Sequence, residues 1–377
     1  MSRRLDTDVA IIGGGVIGLA CAYELLKQGK RVLILERDRA GSGAGNVAAG
    51  MLAPIAEADT EEQAFIDLAL ESCALYPEWV RDIERDSGET CGYRDEGSLM
   101  IALHRDHEVE FERLAAIQHR MGLEARHISR EQALEAEPYL SPRVVSGLLV
   151  PNDRQVNPRR LTHALAAAVR ALGGEIFEGE AASPILEGRR ATGASTATFE
   201  VHSEAIVVAA GAWSAEAWPA QAGVLPIRPV KGQILRLHGE PVIDHIVRTP
   251  DVYLVPRADG ELVVGATMEE QGFDDRVTTW AVMDLLREAW RLVPGVAELE
   301  MKEASVGFRP ALRDNLPAIG RTSVDGLFVA TGHYRHGIVL SPITARLLAG
   351  VIEGTGSVPA EFDPLRLAAA SIGAMES

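Results

Sequence analysis

Long apolar runs are missing from this 377-residue chain, and none approaches the length that a bilayer-spanning helix needs. Cysteine is scarce. Cys21, Cys73 and Cys91 are an odd three, without a C-x-x-C spacing or a histidine at ligand spacing, which argues against a disulfide framework or a metal site. Basic residues are outnumbered, 37 Lys and Arg against 54 Asp and Glu, for a formal charge of −17. Broad contact with nucleic acid or an anionic membrane rewards clusters of the opposite sign, so neither is expected. Internal repeats and low-complexity linkers are absent too. The N-terminus, "MSRRLDTDVA", has no signal-peptide core, and a cytoplasmic protein is the expectation. With 47% hydrophobic and 24% charged residues, the chain has the composition of a globular protein. Its length suits two domains, or a nucleotide domain with a second inserted into it.

What the chain does have is "DVAIIGGGVIGLACAYELLKQGKRVLILERD" at 8–38. Four apolar residues run into a glycine cluster, as a buried parallel strand does where it meets a turn. Gly13, Gly15 and Gly18 make G-x-G-x-x-G: the first permits the tight turn, the second a close backbone approach to a pyrophosphate, the third close packing of helix on strand. The anion then sits at a helix N-terminus. A helical spacing of apolar residues follows, Gly29 ends it, and a second strand finishes at Glu36, 18 residues after Gly18. A carboxylate there accepts both ribose hydroxyl hydrogens of an adenine dinucleotide and repels the extra phosphate of an NADP-type ligand.

The rest of the chain returns to the same grammar. Pro158 to Leu172 reads as a helix closed by Gly173-Gly174, with a strand at 175–178 after it. "HISREQALEAEP" offers a capping box, Ser129 with Gln132. "EAIVVAAGAWS" at 204–214 repeats strand then small residues and Gly211, and "GLFVATGHYRHGIVLSPITARLLAGVIEG" at 326–354 is a further strand-glycine-helix unit. Between them, 225–270 alternates as short strands, with Asp259-Gly260 as a hairpin turn. The fold class expected is therefore α/β: a Rossmann-like FAD-binding domain built from discontinuous segments, with an inserted α+β substrate domain containing an antiparallel sheet. The segments are 1–90, 145–222 and 305–367 for the cofactor, 91–144 and 223–304 for the substrate, and a tail at 368–377. An NAD dehydrogenase usually completes its nucleotide domain in one stretch, whereas this late return suits FAD. A helix starting near Gly337 would aim its positive end at the flavin.

"AAGMLAP" at 48–54, "YLVPR" at 253–257, "LVVGATME" at 262–269, "GFRP" at 307–310 and "ATGHYRHGIVLSPITA" at 330–345 complete an ordered set over nearly the whole chain. With it the sequence resembles the D-amino-acid-oxidase-like family of FAD-dependent oxidoreductases, and within it the glycine oxidase branch of thiamine biosynthesis. The resemblance implies non-covalent FAD, held by Val16 and Ile17 beside the glycines and by Glu36 and Arg37 at the ribose. Ala44, Gly45, Ala49, Gly50 and Met51 would line the diphosphate and flavin, with Ala182 at the adenine. Gly211 and the run His333, Tyr334, Arg335, His336, Gly337, Ile338 and Val339 would complete the cofactor set. It further implies that Tyr253, Arg309 and Arg335 hold the substrate, with Met268 as a pocket wall. Asn46 and Val47 depart from the family pattern, as does Asp251, where some relatives have histidine.

On their own chemistry, these residues keep alternatives open. Arg309 lies in a mainly apolar segment and suits a bidentate carboxylate, or else an internal ion pair. Tyr253 is a ligand or a packed strand residue, Arg335 a ligand or a surface charge, and Met268 reads more readily as core. Lys231 receives no role. The activity implied is oxidation of glycine, sarcosine or small D-amino acids to imine and 2-oxo acid, ammonia and hydrogen peroxide, by hydride transfer to flavin with oxygen as acceptor. A small amino acid, oxygen, a thiazole synthase taking the imine, and a homo-oligomeric partner are the expected contacts. Two rivals are a D-amino-acid dehydrogenase serving a quinone-type acceptor and a tRNA-modifying flavoprotein, the latter disfavoured by the acidic charge.

Overall fold

The computed structural model describes residues 3–54 and 63–367; the tail at 368–377 lies outside them. The chain opens with strand β1 (Arg3–Ile12), whose last four residues are at most 4% exposed. Helix α1 (Val16–Lys27) is buried over most of its surface because sheet and helices enclose it, and β2 (Val32–Glu36) lies parallel to β1. Gly29, at φ +82°, ends α1 in a Schellman motif: its N–H donates to the Leu26 carbonyl at 2.9 Å, and that of Lys30 to the Leu25 carbonyl at 3.1 Å. Pro158–Ala171 closes in the same way on Gly173.

Strands Glu175–Glu178, β2, β1, Phe199–Val208 and Leu327–Thr331 form a parallel layer, with Ala318–Arg321 antiparallel at one edge. Phe199–Val208 also pairs with a small antiparallel extension, Ser183–Glu187 and Arg190–Ser195. Helices α1, Gln63–Ser87, Pro158–Ala171 and Ser341–Glu353 bury one apolar face of this layer.

The second layer is an eight-stranded sheet in which Glu300–Ala311, Arg228–His238, Glu261–Gly265, Tyr253–Pro256 and Ile246–Arg248 run antiparallel in that order. Ser98–Ala102 joins it in parallel, followed by Ser146–Val150 and Arg126–Ser129. Residues 145–150 and 305–311, grouped with the cofactor segments from sequence, thus hydrogen-bond in the second sheet. Period-two alternation gives this sheet two faces. Leu99, Leu235, Val247, Leu254 and Val264 pack under helix Thr279–Leu292, while Met100, Ile234, Val255 and Val263 face Ala49 and Met51 of the nucleotide layer. The functional cavity opens on that second face. The capping box at Ser129 and Gln132 forms, heading helix Arg130–Ala136.

Candidate active site

The first turn is shaped by contacts that only glycine allows. A Cβ on Gly13, at φ +113°, would lie 2.5 Å from the Ala209 carbonyl oxygen, and one on Gly18 would lie 2.0 Å from the Gly13 carbonyl oxygen. Gly18 therefore sets the approach of α1 to β1 and does not line the cavity. Gly15 has open space where its Cβ would be, and α1 has neither a capping side chain nor an acidic residue in its first turn. The first N–H groups of a helix have no intrahelical partner, and with the dipole they favour an anion here. At the end of β2, the Glu36 carboxylate accepts from the Gly14 N–H at 2.6 Å and the Asp38 N–H at 2.8 Å, one bond to each oxygen. Each oxygen keeps acceptor capacity for a ribose hydroxyl.

A cavity of about 720 Å³ runs between the two layers, within the range of cofactor sites. Ala182, Glu36 and Arg37 border one end. Gly13, Gly15, Val16, Ile17 and Gly211 follow, with Ala44, Gly45, Ala49, Gly50 and Met51 opposite. His333, Tyr334, Arg335, Gly337 and Ile338 reach the other end, together with Tyr253, Met268 and Arg309. Besides Gly18, two of the assigned cofactor residues lie off the cavity. His336 is buried with its ring 3.9 Å from that of Phe65, and Val339 is buried in the core beneath the helices.

Buried and half-buried arginines hold the cavity wall. The Arg159 fork donates to Glu303 at 2.9 and 2.7 Å while its Nε donates to the Asn46 carbonyl at 2.8 Å, and Arg236 reaches the same carbonyl at 3.3 Å. Asn46 thus serves through its backbone, ending the short helix Ala44–Val47. The Arg159 guanidinium holds the Glu303 carboxyl down at about 2. Arg257 of "YLVPR" has no carboxylate partner among the described residues and donates instead to Gln155 Oε1 and to the carbonyls of Val156 and Ala49. Burial lowers its pKa to about 10, so it stays a cation and pins the 49–51 turn.

Residues 333–340 form a turn, and the helix after it starts at Ser341, not near Gly337. Pro342 stands in its first turn, where a missing N–H costs nothing. Helix Gln63–Ser87 clamps this turn from behind: Ser72 donates to the Val339 carbonyl at 2.6 Å, and Tyr76 donates to the Ile338 carbonyl. Tyr334, at φ +50°, donates its N–H to the Pro310 carbonyl at 2.7 Å and so ties the turn to the "GFRP" strand. His333 lies 3.0 Å from Thr344 Oγ1 through Nε2, and burial drives its pKa down to about 3. The ring is a neutral polar group.

At this end the second sheet presents its chemistry. Arg309 donates from Nη1 to the carbonyls of Thr267 at 3.1 Å and Lys231 at 3.3 Å, and among the described residues no carboxylate pairs with it. That removes the internal ion-pair alternative. The guanidinium lies over Gly232, whose Cβ would come 2.5 Å from it; the Tyr253 ring lies over Gly265 in the same way, at 2.4 Å. Met268 is 64% exposed and accepts from the Tyr334 hydroxyl at 2.7 Å, so it forms a rim to the pocket and not an enclosing wall or core residue. Arg335 donates from Nε to His336 Nε2 at 3.3 Å, with its guanidinium 5.6 Å from the Tyr334 ring centroid. Lys231, given no role from sequence, is fully buried and ties the 274–276 loop through Asp274 at 3.1 Å and the Arg276 carbonyl at 2.7 Å. Asp251 lies 3.5 Å from His107 at the cavity edge.

Sequence reasoning passed over Gly232, Gly265, Trp213, Arg248 and Arg257 as site residues. Trp213 stacks under the Arg37 guanidinium at 4.7 Å, an aromatic in "GAWS" whose cavity position follows only from where the strand ends. Arg248 was visible as a lone charge in "HIVRTP", the same signal that marked Arg309.

The residues present fit FAD: a glycine turn open to a diphosphate, an anchored ribose carboxylate, and a cavity long enough to continue to Arg309. Comparison with known proteins agrees. The model of the family described as "DAO: FAD dependent oxidoreductase" matches residues 8–351. A glycine oxidase of Geobacillus kaustophilus is 35% identical over 94% of each chain. The crystal structure of glycine oxidase from the same organism superposes with a TM-score of 0.89 at 34% identity, covering 95% of this chain and 97% of that one. A "Bifunctional protein ThiO/ThiG" of Trichormus variabilis is 38% identical over 96% of this chain, which spans only 54% of that relative's length. With nearly its whole length matched, the chain belongs to the DAO family of FAD-dependent oxidoreductases.

Proposed function

We propose that this protein oxidises glycine and other small amines, sarcosine and D-alanine among them, to the imine, which water converts to the 2-oxo acid and ammonia, or methylamine from sarcosine, while oxygen is reduced to hydrogen peroxide. The observation that carries the reading is Arg309, a cation in the cavity with only backbone carbonyls as partners among the described residues. An α-carboxylate completes it through charge-assisted hydrogen bonds. Bound in the cavity, FAD supplies the two-electron acceptor for the hydride that leaves the α-carbon. The protein's own part is placement: Arg309 and Tyr253 hold the carboxylate and so orient the C–H bond. Arg335, at the cavity mouth, adds positive charge where the carboxylate enters. Burial lowers the His333 pKa to about 3, which makes it a weak base, so the reading takes the amine in its unprotonated form without a protein base.

The glycine oxidase relatives support the substrate class. The relative named as bifunctional supports a second activity working beside this one, and we assign the imine to a thiazole synthase as its consumer. A cytoplasmic setting and a homo-oligomer belong to the same proposal; among the described residues no helix is long and apolar enough to cross a membrane. The test is peroxide release by purified flavoprotein with glycine, sarcosine, D-alanine and D-phenylalanine. Glycine and sarcosine are expected to exceed D-phenylalanine. Equal turnover of D-phenylalanine, or activity only with a quinone acceptor, would reject the reading.

A further inference from the structure

Arg248 is a second guanidinium in the cavity that has no carboxylate partner among the described residues. It ends strand Ile246–Arg248 and pairs across the sheet with Tyr253, so both side chains stand on the cavity face. Its other neighbour in register is Met100, which offers no acceptor comparable to a carboxylate. Nε and Nη1 are buried from solvent and make no hydrogen bond among the described residues, nor does any carboxylate pair with the group. Asp251, three residues on, turns to His107 instead. Buried guanidinium donors without acceptors are unfavourable, and an anion that enters the cavity relieves this.

Arg309 and Arg248 approach the same space from opposite sides of Tyr253. Gly232, under the Arg309 guanidinium, lies on a strand three positions away from that of Arg248, about 14 Å across the sheet, and two residues along from Ile234, which is in line with Arg248. Two arginine side chains reaching inward leave room for a short ligand with an anion at each end.

We propose that Arg248 forms a second carboxylate subsite, so that the site takes amino acids carrying a further carboxylate on the amine or the side chain, with N-(carboxymethyl)glycine and D-aspartate as examples of the class. Arg309 holds the α-carboxylate and Arg248 the distal one. This rests on the amine-oxidase reading above and extends it, because a second anion is selected in addition to small size.

The experiment titrates flavin-loaded protein with acetate, malonate and succinate, following the flavin absorbance, and measures kcat/KM for glycine and N-(carboxymethyl)glycine. A dicarboxylate is expected to bind more tightly than acetate by about tenfold or more, and Arg248→Met to abolish that advantage. Arg248→Lys should restore part of it, since charge returns without the fork. The kcat/KM ratio of N-(carboxymethyl)glycine to glycine should fall in parallel. Equal dicarboxylate preference in wild type and Arg248→Met overturns the subsite. So does equal weakening of acetate and malonate, which would make Arg248 a holder of the first carboxylate, or loss of FAD, which would make it a cofactor contact. Failure of glycine turnover with an Arg248-dependent dicarboxylate preference intact would instead reject the oxidase reading and support the subsite.

Discussion

Arg309 and His333 show two polar side chains of the cavity with opposite duties. The arginine presents a planar fork of donors that suits an anion. The histidine can lose its proton, and burial keeps it neutral with a pKa of about 3 against an unfolded value of about 6.5. His336, also buried, is lowered for the same first reason, with the Arg335 charge adding to it. The unfolded chain therefore binds more protons than the native one below about pH 6.5, and stability is lost as pH falls from there towards 3. Each such histidine contributes a slope of up to about 1.4 kcal/mol per pH unit. Between pH 6.5 and 5, above most carboxylate titration, the melting temperature of the holoprotein should fall, and that of His333→Gln should fall less steeply. Parallel curves would show that His333 is protonated in the native state. At this scale the sequence exposed charges in apolar surroundings, Arg309 among them, but not what they face: the absence of a carboxylate beside Arg309 among the described residues is a property of the folded neighbourhood.

Among the elements, the sheet positions Arg309 and Tyr253 through missing side chains. Gly232 and Gly265 are strand glycines with no turn to make, and each clears the space that a functional side chain fills. Gly232→Ala should displace the Arg309 guanidinium while leaving the Rossmann layer untouched. We expect kcat/KM for glycine to drop by about tenfold or more with flavin content retained, as for a contact displaced from a charge-assisted bond. Unchanged kinetics would mean that the guanidinium does not rest where the strand puts it. Elements with local punctuation were readable in advance: the G-x-G-x-x-G turn, the Schellman glycines, the Ser129 capping box and the hairpin at Asp259-Gly260 all rest on near neighbours in sequence. The start of the last helix was not. Residues 337–340 have the composition of a first turn, but their carbonyls at Ile338 and Val339 are taken by Tyr76 and Ser72 from a distant helix, which holds them out of it.

For the whole molecule, the discontinuous nucleotide layer and the separate antiparallel sheet followed from the order of strand-glycine-helix units. The sharing of strands between them did not, because Ser146–Val150 is a short apolar run that fits either layer, and only its pairing with Ser98–Ala102 decides. The outcome places the face of one layer that carries Arg309 and Tyr253 against the cofactor face of the other, so the proposed activity depends on a group that the fold does not need. Steady-state kinetics of flavin-loaded Arg309→Ala, with glycine compared against an amine lacking a carboxylate, reads that dependence. Loss of two charge-assisted hydrogen bonds corresponds to about 3 to 6 kcal/mol of transition-state binding, roughly a hundredfold to ten-thousandfold in kcat/KM for glycine. The carboxylate-free amine should be affected far less, with FAD content and melting temperature nearly unchanged. Equal losses for both amines, or a variant that releases FAD or unfolds, would contradict a carboxylate clamp at Arg309.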